Sequence, residues 1–318
     1  MTQDLKQCLD LVHELSLVSD ESQLDLTFEH KIEKICERFD DIINKWQTNP
    51  KLVESHLNEL LSPIISIVTK SEVNSNKFNA SFHLIQRLVS CIGPKSVSRY
   101  FPTQIFWLTK LIDWSERQTP GESKSWRTRS VLLLWLSMSV KTPFHLRKFD
   151  SSDENTVSQR IYHLIDTYLK VSDKSRDSSA FLAANFFSRP DIIEQGMLNS
   201  FMTNALNQMQ SHFGFVTAMA LLFKTAKRTD ICHFAAHVID LSTKLETGGH
   251  ELVAKWKIKL IGRSALSMMT PRIAKWRYKR GRRLLSQNIS IEKSDQIEKE
   301  LTNKTNVFIN NFKLRLKQ

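Results

Sequence analysis

Apolar residues recur at helical spacing along almost the whole chain, and this narrows the possible fold more than any other feature. Ile32, Ile35, Phe39, Ile42, Ile43 and Trp46 form one stripe, and Leu57, Leu60, Leu61, Ile64, Ile65 and Val68 another. Comparable stripes run through 78–92, 103–116, 126–140, 157–171, 178–187, 192–209, 213–226, 231–245, 251–268 and 271–286. No sustained period-two alternation with hairpin dipeptides interrupts them, so no strand is expected. The polar gaps, such as 71–76 and 151–155, are short. Thr119 with Pro120 and Glu122, Arg189 with Pro190, and Thr270 with Pro271 read as helix starts, because proline at the first helical position loses no needed N–H. About thirteen helices of ordinary length follow from this pattern.

Such helices close into a globule or stack as antiparallel pairs. HEAT and armadillo units run ~40–47 residues, which gives about seven units in 318 residues. The segment SRDSSAFLAANFF places Arg176 and Asp177 at a helix start ahead of a run of small residues. Small residues let a neighbouring helix approach closely, as in the second helix of a HEAT unit. The expected fold is therefore all-α, a HEAT/armadillo-like solenoid of stacked antiparallel helix pairs. Its expected divisions are N-terminal helices over 1–75, the solenoid over 76–287, and a C-terminal helix or linker over 288–318.

Several function classes conflict with the composition. Eight glycines in 318 residues are about 2.5%, against roughly 7% in average usage. Dinucleotide folds and phosphate-cradling loops depend on glycine, and no G-x-G-x-x-G, G-x-x-x-x-G-K or G-x-S-x-G string occurs. Cys8, Cys36, Cys91 and Cys232 are scattered, a pattern that suits reduced thiols better than a disulfide framework. The first residues carry no signal-peptide pattern, and the longest apolar run, Val131 to Val140, is far short of the ~20 residues needed to cross a bilayer. A cytoplasmic location is expected.

Charge is concentrated in one place. Between Leu252 and Leu285 lie eleven Lys and Arg and no Asp or Glu, while the remainder of the chain holds 34 basic residues against 33 acidic. Nearly the whole net charge of +12 thus belongs to two consecutive helices. At 100° per residue, Arg272, Lys275, Lys279, Arg282 and Arg283 fall within one arc of roughly 100°. Ile273, Ala274, Tyr278, Gly281, Leu284 and Leu285 occupy much of the other side, with Arg277 in its middle and Arg280 at its edge near Trp276. The arc is expected to face an acidic partner. Arg277 and Trp276 are expected to be buried and structural, and Arg277 then needs a carboxylate or carbonyl. Arg176 and Asp177 are expected to be a second buried structural pair.

No catalytic constellation emerges. His233 and His237 have the H-x-x-x-H spacing of zincins, with Cys232 adjacent, but Phe234 stands where the catalytic Glu belongs. Paired carboxylates such as Asp40 with Asp41 fit helix ends. Phe186 with Phe187, and Trp107 with Trp114, fit core stripes. The chain is expected to have no metal, no cofactor and no enzymatic activity of its own.

Four strings resemble the tubulin-folding cofactor D family. WRTRSVLLLWLSMSVKTPF at 126–144 resembles its Trp-x-Thr-Arg-aromatic segment with LLLWLS and Pro-Phe. VSDKSRDSSAFLAANFFSRPD at 171–191 is similar to its SDK-x-RD stretch ending in Arg-Pro-Asp. FKTAKRTD at 223–230 resembles its Phe-Lys-x-Gly-Lys-Arg-x-Asp turn, and PRIAKWRYKRGRRLL at 271–285 its Pro-x-Val-Ala-x-Trp-Arg-Tyr-x-Arg-Gly segment. The strings stand in family order at family-like spacing. Ser130 replaces a usual aromatic and Ala226 a usual glycine. Family members are several times longer, so the chain corresponds to their N-terminal region.

The resemblance implies a HEAT-repeat chaperone that captures β-tubulin in post-chaperonin assembly of the αβ-tubulin dimer. It implies cofactors E and C and an Arf-like small GTPase as further partners, with GTP hydrolysis carried out by tubulin, and a cytoskeleton-associated location. The alternative is a generic HEAT adaptor whose basic helix face contacts acidic protein, membrane lipid or RNA. Nucleic acid is the weaker target, because the aromatics fall at core spacing and no RNP, KH or zinc-finger string is present.

Overall fold

The computed structural model describes residues 3–18, 26–150 and 156–269. Its helices are α1 (Gln3–Leu17), α2 (Leu26–Trp46), α3 (Lys51–Glu54), α4 (Leu57–Lys70), α5 (Asn76–Ile92), α6 (Pro94–Val97), α7 (Ile105–Glu116), α8 (Trp126–Ser139), α9 (Val157–Leu169), α10 (Ser175–Phe186), α11 (Pro190–Glu194), α12 (Met197–Gln208), α13 (Phe213–Thr225), α14 (Arg228–Ile231), α15 (Ala235–Lys244) and α16 (Glu251–Met268). No strand occurs among the described residues.

Local chemistry fixes several boundaries. The Ser75 hydroxyl accepts from the Phe78 N–H at the start of α5. Thr156 and Gln159 form a reciprocal capping box at the start of α9, so two orphan donors are satisfied at once. Pro190 opens α11 as its sequence position predicts. Two expectations are corrected. Residues 119–122 do not start a helix: they form a turn, and α8 begins at Trp126. The stripe 192–209 is two helices, broken at Gly196, whose φ of 74° lies where side chains with a Cβ are strained.

The long helices pair in succession: α1 with α2, α4 with α5, α7 with α8, α9 with α10, α12 with α13, and α15 with α16. The second members also stack on one another, giving a row α2–α5–α8–α10–α13–α16. Polar contacts between successive units repeat one spacing. His83 reaches Asp40 over 43 residues, Thr128 reaches Asn79 over 49, Asn185 reaches Ser137 over 48 and Arg263 reaches Ala220 over 43. This is the unit length of an armadillo/HEAT solenoid, and the all-α expectation holds.

The core runs unbroken from Leu5 to Leu260. Helices of the stacked row are enclosed on nearly every side, α8 from Thr128 to Ser137 and α13 from Gly214 to Phe223. A helix that is apolar all round must be buried all round, which is why the run VLLLWL sits there. α10 lies between α8 and α13, and its Ser178, Ser179, Ala180 and Ala183 are the small side chains that permit both approaches. Gly214 is required by packing: a Cβ there would stand 2.0 Å from the Leu169 carbonyl oxygen of α9.

Candidate partner-binding surface

The described part of the basic segment is α16, and its cations divide by what they touch. Lys257 Nζ donates to the carbonyls of Thr243 at 3.1 Å and Leu245 at 2.7 Å, which ties down the end of α15. Arg263 donates to the Ala220 carbonyl at 2.6 Å and so fastens α16 to α13. Lys255 is exposed. Lys259 Nζ lies 4.5 Å from the centre of the Trp256 ring, and the Arg263 guanidinium lies 6.0 Å from it. A fourth cation, Lys224 in the last turn of α13, completes the group.

The Lys259 ammonium is held below the ordinary lysine range, first by loss of solvent and then by Lys255, Arg263 and Lys224. Among the described residues, the charges acting on it are those three cations. An ordinary solvated face mixes signs; here Glu251 begins the row, and the three positions that follow at four-residue steps are all cationic.

The other residues singled out from sequence fall differently. Arg272, Lys275, Lys279, Arg282, Arg283, Arg277 and Trp276 lie outside the described residues. Arg176 is mostly covered, with its guanidinium 5.0 Å from the Phe213 ring and 3.3 Å from Asp177. Asp177 itself is 53% exposed, so the expected buried pair is corrected. The enclosed side of α10 begins at Ser175 and Ser178, and Asp177 projects from its free edge. The His233 ring lies 3.9 Å from the Phe234 ring in a tilted contact, and among the described residues no group of three or more His, Cys, Asp or Glu is placed to hold a metal ion.

Two buried arginines were missed by the sequence analysis, although both lie in the family-like strings. The Arg129 side chain is wholly enclosed and donates to the Thr119 and Glu122 carbonyls, the Ser125 hydroxyl and, at 2.8 Å, the Asp173 carboxylate. Arg189 donates to the carbonyls of Val140, Thr142 and Phe144 and pairs with Asp191 at 2.8 Å. The Asp191 carboxylate in turn accepts from the Leu146 N–H. The strings at 126–144 and 171–191 therefore latch to each other at both ends. Their local sequence, Trp-Arg-Thr-Arg-Ser and Ser-Arg-Pro-Asp, resembles that of exposed helix ends, so no pattern marked them as buried.

The departures are accommodated. The Ser130 hydroxyl lies 3.0 Å from that of Ser178. Ala226 caps α13 with φ −67°, where a glycine is not needed.

A cleft of about 780 Å³ opens between α2, α5 and residues 117–128, with Glu33, Glu37, Asp40, His83 and Arg127 among its walls. The Cys36 thiol at its edge is pushed up to about 12 by burial and by nearby carboxylates, so it is not an available nucleophile. Asp40 is engaged by His83 at 3.0 Å and by Arg87 at 2.9 Å.

Stacked helix pairs with contacts recurring between successive units define an armadillo-type solenoid. The chain belongs to the tubulin-specific chaperone D-like ARM-repeat family, whose model matches residues 43–209. A second model, tubulin-specific chaperone D-like ARM repeats, matches residues 252–313 and so takes in α16. The tubulin-folding cofactor D of Schizosaccharomyces pombe is 25% identical over 177 residues, covering 56% of this chain and 16% of that protein. The tubulin-specific chaperone D of Dictyostelium discoideum is 26% identical over 198 residues, covering 49% of this chain and 13% of that protein. The chain thus spans under one fifth of the length of either relative. No solved structure matches it. Among the described residues, no helix is long and apolar enough to cross a membrane.

Proposed function

We propose that this chain is the tubulin-holding part of a folding cofactor: a non-catalytic solenoid that binds β-tubulin during post-chaperonin assembly of the αβ-tubulin dimer. The observation that carries this reading is membership of the chaperone D-like family across 43–209. The latches at Arg129 and Arg189 fit it, because they give the family-like strings a structural role in a non-catalytic scaffold. In this reading cofactors E and C and an Arf-like small GTPase are the further partners. GTP is hydrolysed on tubulin within that assembly, and the protein works in the cytoplasm beside the cytoskeleton. The sequence-predicted basic arc of Arg272, Lys275, Lys279, Arg282 and Arg283 is in this reading a further contact for the same acidic partner.

The test is capture of purified tubulin by the full chain at two salt concentrations, with GTP turnover followed in the presence and absence of cofactors E and C. Salt-sensitive tubulin capture, with turnover only when tubulin and the cofactors are present, is expected. Turnover by the chain without tubulin, or no capture at low salt, overturns the reading.

A further inference from the structure

We propose that the face built by Lys224, Lys255, Lys259 and Arg263 is a docking surface for an acidic, extended segment of a protein partner. The inference deepens the tubulin-scaffold reading by giving the partner segment a chemistry, and it stands on the geometry of α13 and α16.

Lys255, Lys259 and Arg263 follow one another at four-residue steps, so they form a row with a rise of about 6 Å per step. Alternate side chains on one face of an extended peptide recur at about 6.6–6.8 Å. Carboxylates at every second residue of a partner strand therefore meet successive cations of the row, and the charge of Lys224, in the last turn of α13, acts in the same direction. Arg263 is already oriented by its bond to the Ala220 carbonyl, so one cation is fixed before any partner arrives. Along α16 the row carries one acid, Glu251, a four-residue step before Lys255, while the charges acting on Lys259 among the described residues are those of its three cationic neighbours. An acidic segment relieves that repulsion when it binds.

The surroundings favour protein over nucleic acid or membrane. Trp256 is the aromatic of the patch, and it is engaged by Lys259 and Arg263, so it offers no open ring for base stacking. Leu252 and Leu266 stand beside the row at 49% and 65% exposure. They provide aliphatic contacts for partner side chains. A helix lying in a membrane surface needs a continuous apolar face with cations at its flanks. Here Lys255 and Lys259 fall among the exposed Leu252, Ile258 and Leu266 and interrupt any continuous apolar face, while Arg263 is tied to α13 and the opposite side of α16 is packed on α13 and α15.

The experiment is fluorescence anisotropy of a labelled Glu-rich peptide with the full chain, in parallel with tubulin capture, an RNA oligonucleotide and anionic vesicles. The variants are Lys255→Glu with Lys259→Glu, and Lys95→Glu with Lys141→Glu as a control of equal charge change on exposed lysines of other units. Peptide binding is expected to weaken by about tenfold or more in the first variant and to stay near wild type in the control. Both variants should keep the wild-type circular dichroism melt. Equal losses in both variants would mean that net charge alone draws the peptide, and the proposal falls. It falls equally if the first variant binds the peptide normally, or if RNA or vesicles bind more tightly than the peptide and lose that binding in the first variant. Tubulin capture that survives in the first variant, with peptide binding lost, removes the link to tubulin while leaving the acidic-segment site intact. Absent peptide binding with tubulin capture intact sinks this inference and spares the scaffold reading.

Discussion

Replacing Arg129 with Met removes a wholly enclosed guanidinium and leaves two carbonyls and the Asp173 carboxylate without their donor. Breaking one side of a buried, hydrogen-bonded ion pair costs about 3–5 kcal/mol, and the partial exposure of Asp173 places this site at the lower end. Urea denaturation of Arg129→Met should therefore show a loss of about 3 kcal/mol. A loss of a few tenths would mean that water replaces the latch. Two glycines give opposite signs. Gly214→Ala drives a methyl into the Leu169 carbonyl oxygen and should destabilise by about 1–3 kcal/mol. Gly262, within α16, has nothing within 4 Å of its Cβ position, so Gly262→Ala should stabilise by about 1 kcal/mol through helix propensity. Thermal melts of the two variants test the close approach and the open face together.

Between elements, the governing feature is how a row helix fits between two others. α10 is flanked by α8 and α13, and Ala183 is fully buried. Ala183→Leu should cost about 1–3 kcal/mol by overpacking, read as a fall in melting temperature. The segment 140–146 is held by the Arg189–Asp191 pair. Burial pushes the Asp191 carboxyl up, but the Arg189 hydrogen bond, the Leu146 N–H and nearby positive charge bring it below its ordinary value. A depressed folded-state pKa gives stability that is present above the unfolded value of about 3.9 and lost as pH falls through the folded one. Wild type should thus exceed Asp191→Asn in stability at neutral pH, with the gap closing on acidification below about pH 4. Melts of both proteins from pH 7 downward check this; a constant gap would assign the effect to packing.

At the scale of the whole molecule, each unit touches mainly its neighbours, and damage in such an array stays local. Hydrogen exchange of Arg129→Met should show faster exchange in α7, α8, α9 and α10, with α15 and α16 little changed. Uniform acceleration across all helices would show that the described units unfold as one cooperative block. Locality also shapes function. A solenoid carries a surface feature on one unit without disturbing the others, so the cations of α16 and Lys224 can meet a partner while the latches at Arg129 and Arg189 hold distant units together.

Much of this architecture was legible in the sequence. Periodicity alone fixes that the chain is helical, because a stripe at 3.6-residue spacing has only one way to face a core. The stripes at 126–140 and 213–226 marked helices, but their enclosure at 128–137 and 214–223 came only with stacking. The excess of Lys and Arg in 252–285 marked where charge gathers, since composition is independent of folding. Tertiary structure decided what each charge does. Lys257 and Lys255 are two residues apart on one helix, yet one ties down α15 and the other is free, because only packing determines which azimuth of α16 is covered. Arg129 and Arg189 looked like ordinary cations until carbonyls and carboxylates 44 to 49 residues away were brought to them. Asp177 appeared internal because it precedes a buried run, but a helix turns 100° per residue and carries it to the open edge. Sequence pattern fixes period and composition; the pairing of distant groups is settled only when the units stack.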